Sequence, residues 1–299
     1  MSQTFRLREP DRSVPVPAPF GLGGSGVPSF ECLRLLAGAL DLEHSSTGGR
    51  TKLRYCFLTQ KNRHVASRAV SKIIETVFDN ALDRSDVERF LRKSSGENRI
   101  FWEELRAELS FCLFARKKNQ SIEAFLHLYR ILELISVALP LVYASSISDF
   151  RKAVVFIKSL SKNDRDQDLA ILKYFSEEIS KSSGMYSQLE VDFPFKGMEK
   201  GAAKSLVDQL NRYIFFDGKI KNSFYPMPEE GVRVNFDSVP SFIVMCRNRL
   251  FHNAMTNENF KLDPLRGAGG LCSVLVDPAL YWLGIIFSEI LKAQASRYV

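Results

Sequence analysis

Residues 121–143 read SIEAFLHLYRILELISVALPLVY. Wound as a helix, this stretch carries apolar side chains on nearly every side, so it is expected at the centre of the fold or in a subunit interface. Ser121 reads as its N-cap. Pro140 should kink or end it, because proline lacks an amide hydrogen and its ring crowds the preceding turn. A chain organised around such a segment is expected to be mostly helical.

The flanking sequence supports that expectation. Phe30–Leu42 carries Cys32, Leu35, Leu36 and Leu40 at helical spacing, and Arg63–Leu82 places Val65, Ala69, Ile73, Val77 and Ala81 along one helical face. Asp86–Lys93, Ile100–Phe114, a helix from Ser148 or Asp149 to Leu160, one from Asp164 or Asp166 to Ser180, and Lys200–Phe216 complete the series before the last two helices. Leu189–Phe193 and Val232–Phe236 alternate in the manner of short strands, so at most a short β-hairpin is expected. The last helix is expected from about Pro278 to Ala295, with Pro278 at its first turn.

The N-terminal 28 residues hold five of the twelve prolines and the run Gly21-Leu-Gly-Gly-Ser-Gly26, which reads as a flexible arm. No strand precedes that glycine run and no Lys-Ser/Thr follows it, so it is not a phosphate loop. The expected organisation is an arm over 1–28, a helical region over 29–120 and a helical bundle over 121–299.

Composition narrows the function classes. Charged residues make up 25% of the 299, and basic residues exceed acidic by 41 to 34, a net charge of +7. That balance favours an anionic partner, RNA or DNA above all. The N-terminus has no apolar signal core, and no unbroken apolar run approaches the ~20 residues of a membrane helix, so no membrane association is expected. The five cysteines are scattered without a Cys-x-x-Cys pair, which fits reduced thiols in a cytoplasmic protein. No metal-ligand spacing is present, and neither a metal nor another cofactor is expected.

One constellation carries chemistry. The apolar run Val239–Met255 contains Arg247-Asn-Arg-Leu-Phe-His252, and the chain has only four histidines. Ser238 reads as the cap of this helix, with Pro240 in its first turn. Asn248 and His252 are one turn apart on the same face, and Arg247 lies about 140° around and roughly 7.5 Å back along the axis. An imidazole of ordinary pKa, ~6.5, can take the proton from a ribose 2′-OH or give one to the leaving 5′-oxygen. A guanidinium can hold the phosphate and offset the charge of the transition state. Asn248 can orient either group. One histidine does not readily serve as both base and acid, so two copies in a symmetric dimer are a natural solution.

In the order Arg247, polar Asn248, three intervening residues and His252, on the penultimate helix of a helical chain, the segment resembles the HEPN superfamily. The resemblance spans about 121–299. It implies a helical bundle, a homodimer or higher homo-oligomer, and metal-independent endoribonuclease activity leaving 2′,3′-cyclic phosphate and 5′-hydroxyl ends. It further implies a toxin or antiphage, abortive-infection role held in check by an antitoxin or other inhibitory partner, or alternatively a non-catalytic binding or scaffold role in such a complex. Ala254 stands where one subgroup of that superfamily carries a tyrosine that receives nucleotides.

Arg249, Lys61, Arg63, Arg68, Arg116, Lys117 and Lys118 are candidate RNA-phosphate contacts. His127 and Arg130 read as a buried hydrogen-bonded pair with Glu133 satisfying the arginine, and Cys246 as a packed thiol rather than a nucleophile.

Overall fold

The computed structural model describes residues 4–11, 16–23, 26–59, 69–78, 82–160, 168–182, 186–215, 224–227, 231–251, 259–262 and 267–298. In chain order the elements are β1 (Phe5–Arg8), α1 (Pro28–Leu36), β2 (Asp41–His44), β3 (Arg50–Lys52), α2 (Val70–Phe78), α3 (Arg84–Ser94), α4 (Arg99–Lys117), α5 (Ser121–Ser146) and α6 (Phe150–Leu160). They continue with α7 (Asp168–Ser182), β4 (Glu190–Pro194), α8 (Lys200–Leu210), β5 (Phe224–Met227), β6 (Gly231–Asn235), α9 (Val239–Phe251) and α10 (Ala268–Ala295). A wide π-type turn over Asn211–Phe215 follows α8, and a 3-10 turn over Phe236–Ser238 precedes α9.

Helix α10 is the axis of the fold. Its side chains are buried almost all round, from Leu271 to Ala295, and it packs most extensively against α5. Helices α1, α2, α3 and α9 and strand β4 also touch it. Trp282 is fully buried and donates its indole N–H to the Phe236 carbonyl oxygen at 2.9 Å, tying α10 to the turn ahead of α9. The helix begins ten residues before the expected start at Pro278. Burial of Leu271, Cys272, Val274, Leu275 and Val276 carries it through the proline, as tertiary packing outweighs the ~3 kcal/mol local penalty. The same reason takes α5 through Pro140 to Ser146. Its cap residue is Gln120 rather than Ser121.

Both long helices meet the length and apolarity of a membrane span, which the expectation of no such run missed because isolated charges interrupt them. In the most apolar window of α10, 83% of the residues are buried inside the protein, so packing accounts for its composition.

Local signals explain where other helices stop. Helix α1 starts with Pro28 itself and ends at Leu36, short of the expected Leu42. Gly38 has φ 66°, and the bonds Ala39 N–H to Arg34 O and Gly38 N–H to Leu35 O form a Schellman motif. Asn119, at φ 59°, ends α4 in the same way, with Gln120 N–H on Ala115 O and Asn119 N–H on Arg116 O. Only residues 118–120 then separate α4 from α5, so the two pack as an antiparallel hairpin. A reciprocal box of Asp83 and Asp86 starts α3. Asp149 accepts from the Arg151 and Lys152 amides at the start of α6.

The strands exceed the expected hairpin. The described residues form two antiparallel three-stranded sheets, ordered β1-β2-β3 and β4-β6-β5. In the second, Val191 faces Val234 and Phe193 faces Val232; the sequence pattern foretold these two strands. Strand β5 carries Pro226, tolerated because it lies at the sheet edge. The first sheet is short and charged, and only its four-residue strand β1, Phe5-Arg-Leu-Arg8, alternates apolar with polar side chains.

That sheet also fixes the expected flexible arm. Phe5 pairs with His44 in β2, and Phe20 is fully buried against Phe30. Buried Arg34 holds Glu9 with two bonds of 2.6 and 2.8 Å and donates to the Phe20 carbonyl at 3.1 Å. Beside it, nearly buried Glu31 pairs with Arg106. One continuous core runs from Phe5 to Ala295, across the boundary expected at 120/121.

Gly284 of α10 faces the backbone of Phe57, and a Cβ there would overlap the Phe57 carbonyl oxygen. Gly284→Ala should therefore destabilise the protein by ~1–3 kcal/mol, read as a lower melting temperature.

Candidate functional site

Helix α9 presents the Arg247–Asn248–Arg249 segment at its last described turn, after an inner face of Phe242, Ile243 and Cys246. Ser238 directly precedes the first residue of the helix and donates its hydroxyl to Asp237 Oδ1 at 3.0 Å. His252 follows Phe251 directly and lies outside the described residues, as do Lys61, Arg63 and Arg68.

Arg247 is half-buried, and its guanidinium carbon stands 4.7 Å from the centroid of the Tyr129 ring on α5. Its Nη1 donates to Asn248 Oδ1 at 3.1 Å, so the first two motif residues share a hydrogen bond at the surface. Tyr129 is itself buried, and burial holds its phenol above the usual range while the Arg247 charge draws it back down. A cation on an aromatic face is worth about 0.5–2 kcal/mol, enough to give a long side chain a preferred place. One turn further on, Phe251 stacks against Phe125 of α5, with ring centroids 6.3 Å apart. The motif end of α9 is thus laid along the Phe125–Tyr129 edge of α5.

Arg249 points elsewhere. It bonds the Tyr213 carbonyl at 3.4 Å and lies over the Tyr213 ring at 5.9 Å, in the π-type turn after α8. The segment beyond the motif is anchored on the same side. The Phe260 amide donates to the Arg249 carbonyl at 3.2 Å, and Gln209 exchanges two backbone bonds with Lys261, at 2.6 and 3.2 Å. Arg249 is therefore engaged by the protein at this point, a role its expected contact with RNA phosphate did not foresee.

Arg116 is likewise engaged. It forms a forked pair with Asp277 of α10, one bond at 2.6 Å, and stacks over Tyr55 and Phe57 at 4.3 and 5.1 Å. It joins α4 to α10, an engagement that a basic run in sequence does not reveal. Lys117 and Lys118 are exposed. Lys117 and Arg54 line a cleft of about 250 Å³ with Tyr55 and Arg116.

The His127–Arg130 reading is corrected in its partner. Glu108 of α4, not Glu133, accepts from both, at 2.7 Å from His127 Nδ1 and 2.9 Å from Arg130. His127 also stacks on Phe111 at 4.8 Å. His127 and Glu108 are half-buried but Arg130 is exposed, so the expected burial of the pair fails for the arginine, and the cluster closes the α4–α5 hairpin at its surface.

Cys246 is fully buried beneath the motif, and burial pushes its thiol well above the ordinary range. Among the described residues, no three His, Cys, Asp or Glu side chains gather as a metal site. Sequence reasoning missed Tyr129 and Phe125 as the platform for α9 and Tyr213 as the anchor of Arg249. Each lies far away along the chain, and no local spacing signals it. No family model, characterised protein or solved structure matches this chain.

Burial also raises the thiols of Cys32, Cys112 and Cys272, the last to about 12. A thiol-disulfide reagent at pH 8 should therefore leave these three and Cys246 unmodified in the native protein and label them on unfolding. Raised folded-state pKa values mean that the folded form binds more protons than the unfolded one at alkaline pH, so stability should fall as pH rises above about 9. Thermal melts across that range check the sign.

Proposed function

We propose that this chain is a metal-independent endoribonuclease of the HEPN type. His252 and Arg247 are its catalytic residues and Asn248 supports them. The observation that carries the reading is the placement of Arg247: a half-buried cation seated on the Tyr129 ring, hydrogen-bonded to Asn248, at the helix end that leads directly into His252. A seated guanidinium enters the reaction with its orientation largely set, so little ordering is left for the moment when charge builds on phosphate.

In the proposed reaction the ribose O2′ loses its proton to one imidazole and attacks the adjacent phosphorus. The bond to the 5′-oxygen breaks, and that oxygen takes a proton from a second histidine in its imidazolium form. The products are a 2′,3′-cyclic phosphate and a 5′-hydroxyl. Substrate is RNA, because DNA lacks the attacking hydroxyl. Two imidazoles require two copies of the chain, and the net charge of +7 suits a polyanionic substrate. A toxin or antiphage effector, restrained by an inhibitory partner, is the setting that the motif resemblance suggests.

A second reading is favoured by the same contact. If the Arg247–Tyr129 pair serves only to dock α9 on α5, the protein is a non-catalytic binding or scaffold module of the same type.

Cleavage of RNA by the purified protein in EDTA separates the two. His252→Ala and Arg247→Ala should each reduce cleavage by about a hundredfold or more. Arg247→Lys keeps the charge over the ring but removes the planar fork. It should retain the melting temperature and lose most of the activity. Undiminished cleavage by His252→Ala would overturn the site, and a requirement for magnesium would overturn the mechanism.

A further inference from the structure

Helix α9 rests on α5 through two contacts set one turn apart. Arg247 lies over the Tyr129 ring, and Phe251 stacks on Phe125 with the ring planes 24° apart. Positions 247 and 251 are four apart on α9, as are 125 and 129 on α5. The later residue of one helix meets the earlier residue of the other, so the helices run antiparallel here. Cation and ring then form neighbouring rungs of one ladder.

The two α5 rings are buried, whereas Phe251 is 40% exposed. Phe125 covers one side of the Phe251 ring, in an offset stack with centroids 6.3 Å apart, and the rest of the ring meets solvent. Folding usually buries phenylalanine, and a leucine here would cover Phe125 as well. What the aromatic adds is a flat face, held in place from behind and open in front. Ile122, one turn before Phe125 on α5, is also 40% exposed and keeps the surroundings apolar. Exposed Glu123 lies about 160° around the α5 axis from Phe125, on another side of the helix.

In the proposed reaction Arg247 holds a phosphate. A nucleobase joined to that phosphate through its ribose comes within reach of a ring one helical turn, roughly 6 Å, from the arginine. We propose that the open face of Phe251 is a base-stacking subsite, which receives the unpaired base of a nucleotide adjoining the phosphate held by Arg247. The inference rests on the reading of Arg247 as the phosphate-binding residue. Every base has a π-face, so the subsite selects for an unstacked base and not for sequence. A base inside a duplex has both faces stacked on its neighbours and cannot be delivered to the ring. Glu133 stands one turn beyond Tyr129, at the end of the ladder away from Phe251. Its carboxylate opposes a phosphate on that side, and the nucleic-acid chain is directed from Arg247 toward Phe251.

Binding of a short fluorescein-labelled 2′-O-methyl RNA by the full chain tests the subsite. That probe keeps the phosphates and bases but has no free 2′-hydroxyl to attack. The single strand should bind about tenfold more tightly than the same strand in a duplex. Phe251→Leu still covers Phe125, so its melting temperature and its affinity for the duplex should match the wild type. Its affinity for the single strand should fall about tenfold. Phe251→Trp should keep that affinity, and its indole emission should be quenched as the base stacks; Trp102 and Trp282 are buried and supply a constant background. In cleavage of ordinary RNA, Phe251→Leu should raise KM and leave kcat nearly unchanged, because stacking is as strong before the transition state as within it. Equal wild-type affinity for single strand and duplex overturns the subsite. So does undiminished single-strand binding by Phe251→Leu, or unquenched emission from Phe251→Trp. Quenching and selective loss of binding in a protein that cleaves no RNA support the subsite while overturning the catalytic reading, so the two failures are told apart.

Discussion

A helix with no polar side has to be surrounded. Helix α10 runs 28 residues from Ala268 to Ala295, and almost none of it meets water. Leaving a leucine, isoleucine or phenylalanine of such a helix exposed would forfeit about 1.5–3 kcal/mol each, so the remaining elements are arranged to cover it. Helix α5 takes the largest share, and α1, α2, α3, α9 and β4 close the rest. The charged groups on α10 are few and paired: Asp277 with Arg116, and Glu289 with Tyr186 and with Lys292 of the same helix. Gly284 lets the Phe57 backbone approach directly.

Helix α5 is the element this arrangement divides most finely. One side joins α10 and α4 in the core, an edge formed by Phe125 and Tyr129 receives α9, and the outer side leaves Ile122, Leu126, Val137 and Leu141 exposed. The candidate site follows from that division. Arg247 is placed by an aromatic ring on another helix, and that ring is placed by the core behind it. The proposed chemistry accordingly rests on one helix, and burial of its inner side gives it a rigid support.

Much of the fold was legible where a signal was local. The periodicities of α3, α4, α7 and α8 and the alternation of β4 and β6 all lie within a few residues, and the structure contains each element close to its expected place. Local rules failed where packing opposed them. Pro140 and Pro278 lie inside helices, because burial of the flanking apolar residues outweighs a missing hydrogen bond. The arm failed in the opposite direction. A Pro- and Gly-rich segment with little apolar content gave no hint that Phe20 is buried or that Glu9 neutralises a buried Arg34. The first sheet, built from short charged strands, was missed for the same reason.

At the site the division is sharper still. Arg247, Asn248 and His252 stand within six residues of one another, a spacing that a helix would bring together without any tertiary contact. The sequence by itself therefore determined a mostly helical chain, a basic charge balance and a compact set of groups suited to phosphate chemistry. Only the tertiary structure decided which cations serve the fold. Arg116 is held by Asp277 and Arg249 by Tyr213, while Arg247 rests on Tyr129. Each of these partners lies tens of residues or more away along the chain. The burial of apolar surface that brings them together is summed over the whole molecule, and no short stretch of sequence records it.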